Sequence, residues 1–288
     1  MAALHIGGYE WLDWSFHLDV ILLCILLLGA YYFAVTRLRP RTSDAAPVKP
    51  SQVIYYTLGV LTIYAASGSP LHGLADEYLA SAHMFQHVLL TLVAAPLLLA
   101  GIPAWVWQAL LRVRGVLPVA RLLTNGLMAL AVFNAVMLLV HLPSAVDLQL
   151  REWWFHLFAH SSLLVAGLVM WWPVLSTVPE LPRLAYPVQM GYLFLQSLVP
   201  AVMASFITFS DRAVYQAYAD APRIWGISPL ADQQIAGGIM KLMGTIILWS
   251  FITVAFFKWY EREEGEARGP RWQEAKEEPR NLGLTTKR

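Results

Sequence analysis

Residues 83–103 read HMFQHVLLTLVAAPLLLAGIP. No charged side chain interrupts the stretch, and at about 20 residues it is long enough for a helix to cross the hydrocarbon core of a bilayer. Its first five residues place His83 and His87 at i and i+4, one turn apart on one helix face. Two imidazoles so spaced can reach one metal ion, as in the helical H-E-x-x-H arrangement. A second stretch repeats the arrangement: His156 and His160 open the run HLFAHSSLLVAGLVMWWPVL.

The rest of the chain has the same character. Of its 288 residues, 58% are hydrophobic and 14% charged, against about 25% charged in soluble domains. The charges cluster between uncharged runs of about 20 residues, so the chain reads as an all-α, polytopic membrane protein. The alternation of a membrane barrel is absent. Seven spans are expected, near 16–36, 53–71, 82–101 (bent at Pro96), 122–141, 153–172 (ending at Pro173), 186–207 and 233–259. Residues 1–260 form one transmembrane domain. Residues 261–288 are charged and poor in apolar side chains, and read as a disordered cytoplasmic tail. Residues 213–219 are expected to form a short interfacial helix. The single cysteine, Cys24, excludes an intrachain disulfide and a C-x-x-C metal motif. The N-terminus lacks the basic segment and cleavage site of a signal peptide. No dinucleotide or P-loop pattern is present, and nothing points to nucleic acid.

Basic residues fix the expected orientation. Arg37, Arg39, Arg41 and Lys49 follow the first span, Arg112, Arg114 and Arg121 the third, Arg183 the fifth, and Lys258, Arg262 and Arg268 the seventh. The opposite segments carry Arg151, Arg212 and Arg223 among many acids, including Glu10, Asp13, Asp76, Asp147 and Asp232. The positive-inside rule then puts the N-terminus outside and the C-terminus in the cytoplasm. Trp and Tyr at span ends, among them Trp11, Trp14, Trp105, Trp153, Trp154, Trp171, Trp172 and Trp259, read as interfacial belts.

In that topology all eight histidines fall at the outer face: His5, His17, His72, His83, His87, His141, His156 and His160. Imidazole suits Cu, Zn and Fe, and thioether suits Cu(I). Met137 lies one turn before His141, Met84 beside His83, and Met203 in the outer part of the sixth span. A His and Met set on an oxidising face fits copper, with His83, His87, His156 and His160 as first candidates, His141 and Met137 as secondary ones and Asp232 as an accessory carboxylate. The bland alternatives are hydrogen-bonded interfacial histidines, above all His5, His17 and His72, methionines as core fillers, and Asp232 as the N-cap of its own helix. Lys241 lies deep in the seventh span, where a charge costs about 2.5–3.5 kcal/mol. Gly237, Lys241 and Gly244 share one face, so Lys241 is expected to point into the bundle against a close neighbour. Snorkelling toward the interface is the alternative.

With DQQIAGGIMKLMG, residues 232–244, the two His stretches resemble the CtaG family, polytopic bacterial membrane proteins associated with assembly of haem-copper cytochrome c oxidases. The resemblance covers spans two to seven. It implies a multi-pass protein of the bacterial inner membrane that helps mature the oxidase copper centre, with His83, His87, His156, His160, Asp232 and Gln233 at family positions. At Lys241 it implies an apolar or aromatic residue instead. The implied partners are the catalytic subunit of the oxidase, a soluble periplasmic copper donor and the bilayer; homo-oligomerisation stays open. The role needs no covalent chemistry, so no enzyme is expected. Three other readings stand beside it: a b-type cytochrome with haem b held by two His, a metal or proton transporter using Lys241, and a metal-free scaffold for oxidase subunits.

Overall fold

The computed structural model describes residues 17–38 and 47–281, with side chains described as far as residue 265. His5, Glu10, Asp13, Trp11, Trp14, Arg39 and Arg41 lie outside the described residues. The described chain is helical throughout, with no strand. In order, the helices are α1 (Leu18–Phe33), α2 (Pro50–Ser67), α3 (Pro70–Glu77), α4 (Ala80–Val88), α5 (Ala95–Gly101), α6 (Ala104–Leu111), α7 (Val116–Leu123), α8 (Gly126–Val140), α9 (Pro143–Arg151), α10 (Trp153–Leu175), α11 (Tyr186–Thr208), α12 (Gln216–Asp220) and α13 (Pro229–Asn281). Two π-helical segments, Ala34–Leu38 and Leu89–Ala94, extend α1 and join α4 to α5. Helices satisfy their own backbone polar groups, as a lipid environment demands.

Each of the seven expected spans coincides with a helical stretch. Five are long and apolar enough to cross a membrane by themselves: Leu18–Leu38, Ala80–Gly101, Trp153–Leu175, Tyr186–Thr208 and Pro229–Gly265. The fourth differs from expectation. It is a pair, α7 and α8, bent by 77° at Asn125, whose side chain accepts from Leu127 N and caps α8. The second, α2, has 18 residues with polar ends, and falls short of that apolar standard. Pro173 does not stop α10, which runs on to Leu175. The helix expected at 213–219 is α12, shorter and shifted. α13 continues unbroken into the charged segment as far as Asn281.

At Pro96, where a bend is expected, the span instead carries a π-helical stretch, Leu89–Ala94, just before the proline. The backbone widens to i→i+5 bonding, so Ala95 N–H reaches Leu90 O. In that register Pro96 would donate to Thr91 O, but proline has no N–H. Trp171 supplies the missing donor, its Nε1 donating to Thr91 O at 2.9 Å. Trp171 is fully buried and Trp172 nearly so. Both are therefore core residues and not part of an aromatic belt, because each ring N–H is consumed inside, Trp172 Nε1 by Leu181 O. Trp153 and Trp154 do stand exposed.

One core is built on α10 (Leu163, Met170, Trp171) against α8 and α11. A second joins α1, α2 and α5 through Cys24, Tyr56, Val60 and Leu98. Outward faces are apolar: Leu18, Leu22, Ile25, Leu127, Phe206, Leu242 and Ile246 are all exposed. Small residues set the closest helix crossings, as expected where packing drives association. A Cβ at Gly237 would lie 2.8 Å from Ala204 O, so α13 touches the backbone of α11 there.

Candidate metal centre

α4 and α10 start at the same end of the bundle, and the sequence puts one His pair in the first turns of each. Within the pairs the ring centroids are 4.4 Å apart (His83, His87) and 4.1 Å apart (His156, His160). The two pairs face each other: His83 lies 5.4 Å from His160 and 5.8 Å from His156, and His87 lies 5.2 Å from His160. Six of the seven described histidines converge here, since His141 at the end of α8 lies 5.0 Å from His87 and His72 of α3 lies 5.2 Å from His156. His17 packs edge-on against His72 at 4.5 Å.

Two groups form within the convergence. In a deep group, one nitrogen each of His83, His87 and His160 lies within 4.8 Å of the others, and all three residues are buried. In a mouth group, one ring nitrogen each of His72 and His156 and a carboxylate oxygen of Asp76 lie equally close, with His72 and Asp76 only half-buried. His156 thus belongs with the mouth group.

The deep group has its lone pairs prepared. Thr91 and Met137 are the ends of two short chains of contacts. His141 Nδ1 donates to Met137 O at 2.7 Å, which leaves His141 Nε2 as an acceptor. That nitrogen is 3.2 Å from His87 Nδ1, so His87 carries its proton on Nδ1 and turns a bare Nε2 into the cluster. Thr91 Oγ1 donates to His87 O and holds the same turn. His87 Nε2, His160 Nε2 and both ring nitrogens of His83 are buried with no hydrogen-bond partner among the described residues. Each orphan costs about 1–3 kcal/mol unless something binds it. A cation accepting one lone pair from each of the three imidazoles fits the donor set.

The secondary candidates act differently from expectation. His141 uses both nitrogens on Met137 and His87, so it orients a ligand in the manner of an outer-shell partner and belongs to neither group. Met137 gives its carbonyl to that chain. Its side chain, with those of Met84 and Met240, lines a cavity of about 40 Å³ that His87 and Lys241 also border. Asp232 is in neither group: Oδ2 accepts from Ala80 N at 2.7 Å, and Oδ1 from Ser81 N and Ser81 Oγ. It caps α4, not its own helix. Gln233 ties down the preceding loop, accepting from Val214 N and donating to Ile207 O. Lys241 Nζ donates to Ser205 Oγ at 3.1 Å and lies 5.7 Å from the Phe209 ring. It reaches back toward the His end and meets no carboxylate among the described residues.

Sequence reasoning passed over three participants. Asp76 stands one turn after His72 and touches it at 3.4 Å and His156 at 3.7 Å; the i,i+4 spacing in HGLAD was a readable signal. Burial, then His156 and His17, lowers His72 to about 3, while burial and Glu77 raise Asp76 to about 7. His72 is therefore a neutral imidazole, and its contact with Asp76 is not an ion pair. Gln86, between the α4 histidines, donates to Ala66 O and reaches His72 Nδ1 at 3.0 Å. Tyr218 spans the convergence, its hydroxyl on Ala75 O and its ring 6.2 Å from His83.

No curated protein and no solved structure matches the chain. The family description "Cytochrome c oxidase caa3 assembly factor (Caa3_CtaG)" matches residues 29–262, which take in every described histidine except His17. A match over most of the sequence means that this chain belongs to the cytochrome c oxidase caa3 assembly factor family.

Proposed function

We propose that the chain serves oxidase assembly by holding a copper ion on His83, His87 and His160 and passing it toward the catalytic subunit. The observation that carries this reading is the set of buried, unpartnered ring nitrogens turned toward one another on two helices. Three neutral imidazoles suit copper in either oxidation state. The thioethers of Met84, Met137 and Met240 along the adjoining cavity favour Cu(I) as the transferred form. Ligand exchange needs no bond made or broken in the protein, so no side chain is assigned a catalytic part.

Crowding speaks against haem b. His87 and His160 centroids lie 5.2 Å apart, with His83 at 4.4 Å and 5.4 Å from them. A macrocycle needs a wide slot between its axial ligands, and His83 stands in it. We read the fold as seven crossings of the bacterial inner membrane, with the His end outside. The acidic segments at that end and the Arg-rich segments at the other support this orientation.

Elemental analysis of full-length protein in detergent tests the copper reading. Loss of about one tightly held copper per chain on joint replacement of His87 and His160 by alanine, with helicity unchanged, is the expected result. Copper content indifferent to that change would remove it.

A further inference from the structure

The mouth group differs from the deep one in access and in chemistry. His72, Asp76 and His156 border an open pocket of about 360 Å³, whose rim also carries His17, Asp19 and Arg151. Their ligating atoms lie within 4.8 Å of one another. Asp76 Oδ1 and His156 Nε2 are buried without a hydrogen-bond partner among the described residues. The deep group lies behind: His160 is 4.1 Å from His156 and 6.4 Å from His72, ring to ring.

We propose that His72, Asp76 and His156 form a second metal site, an entry site that takes a copper ion from the outer pocket before it moves to His83, His87 and His160. The identity of the ion rests on the copper reading above; the site itself rests on its own geometry. Two imidazoles and a carboxylate are a complete three-ligand set for a late first-row ion. When ionised, the carboxylate adds a negative charge that the deep group lacks, and a cation bound there displaces its proton. His156 and His160 are adjacent turns of one helix, so the ion can exchange ligands stepwise without leaving protein. No change of oxidation state is involved. Gln86 links the sites: its amide contacts His72 Nδ1, and its helix carries His83 and His87.

The test uses the full chain in detergent and copper alone as the probe, Cu(I) supplied anaerobically from a weak competing chelator. Bound copper per chain and the time course of uptake are both read. Wild type is expected to take about two ions. His72→Ala with Asp76→Asn should take about one, filling at least about tenfold more slowly. His87→Ala with His160→Ala should keep about one, filling at wild-type speed. Asp76→Asn alone, nearly equal in volume, reads the site where the double change fails to fold, and should weaken the second ion about tenfold. Wild-type stoichiometry and speed in the Asp76 variants would overturn the entry site while leaving the deep site standing. Loss of one ion in those variants, with none lost in the His87 and His160 variant, would uphold the entry site and sink the deep one.

Discussion

Asp232 Oδ2 accepts the backbone N–H of Ala80 at 2.7 Å, across 152 residues of sequence. Its other oxygen takes Ser81 N and Ser81 Oγ. The first turn of α13 therefore caps the helix that carries His83 and His87. Leu79, at the N-cap position of α4, has no side chain able to do so. A negative charge at a helix N-terminus meets both the orphan donors and the positive end of the dipole.

Asp232→Ala should accordingly destabilise the fold by about 2–4 kcal/mol, since it leaves buried donors without a partner. Asp232→Asn keeps an acceptor and should cost less than half as much. Thermal unfolding in detergent checks this. A direct ligand role would show the reverse pattern: copper affinity lost in both variants with stability unchanged.

His141→Leu should lower copper affinity by about 10–100-fold without abolishing binding, because it removes the group that fixes the His87 tautomer. His87→Ala should abolish deep-site binding. Competition against a chelator of known affinity separates the two, and equal losses would show that His141 is itself a ligand.

Lys241→Met should leave copper content unchanged and keep or raise the melting temperature. The lysine costs about 2.5–3.5 kcal/mol at depth, and it recovers part of this through Ser205 and Phe209. A transporter using Lys241 as its moving charge would instead lose all metal uptake into vesicles in this variant.

Gly237→Val should cost about 1–3 kcal/mol or more, the range for overpacking. Its branched side chain would meet Ala204 O and Thr208 on α11. The same change at Gly238, where a Cβ meets nothing within 4 Å, should be milder. Comparing the melting temperatures of the two variants measures the crossing.

Most of the fold was legible because lipid makes it so: uncharged runs of about 20 residues can do little but form helices. The i,i+4 pairs announced which helix faces converge at the candidate metal centre. Three things were not legible, each because it depends on a partner far away in sequence. Nothing around Asp232 says that its carboxylate belongs to α4. The bond from Trp171 to Thr91 O exists only because Pro96 withholds a donor, so a tryptophan that looked interfacial is buried. His141 looked like a ligand because a histidine at a helix end has the same appearance whether it holds a metal or holds another histidine. The 77° bend at Asn125 had a readable signal that the expected span ran over: Thr124, Asn125 and Gly126 separate two apolar runs.

Copper K-edge absorption of the full chain, loaded with one equivalent and compared with His87→Ala/His160→Ala, addresses the deep site most directly. The account predicts a first shell of about three nitrogens with the outer-shell scattering of imidazole, absent or reduced to the mouth-group pattern in the variant. A shell dominated by sulfur, or an identical spectrum from the variant, would contradict it.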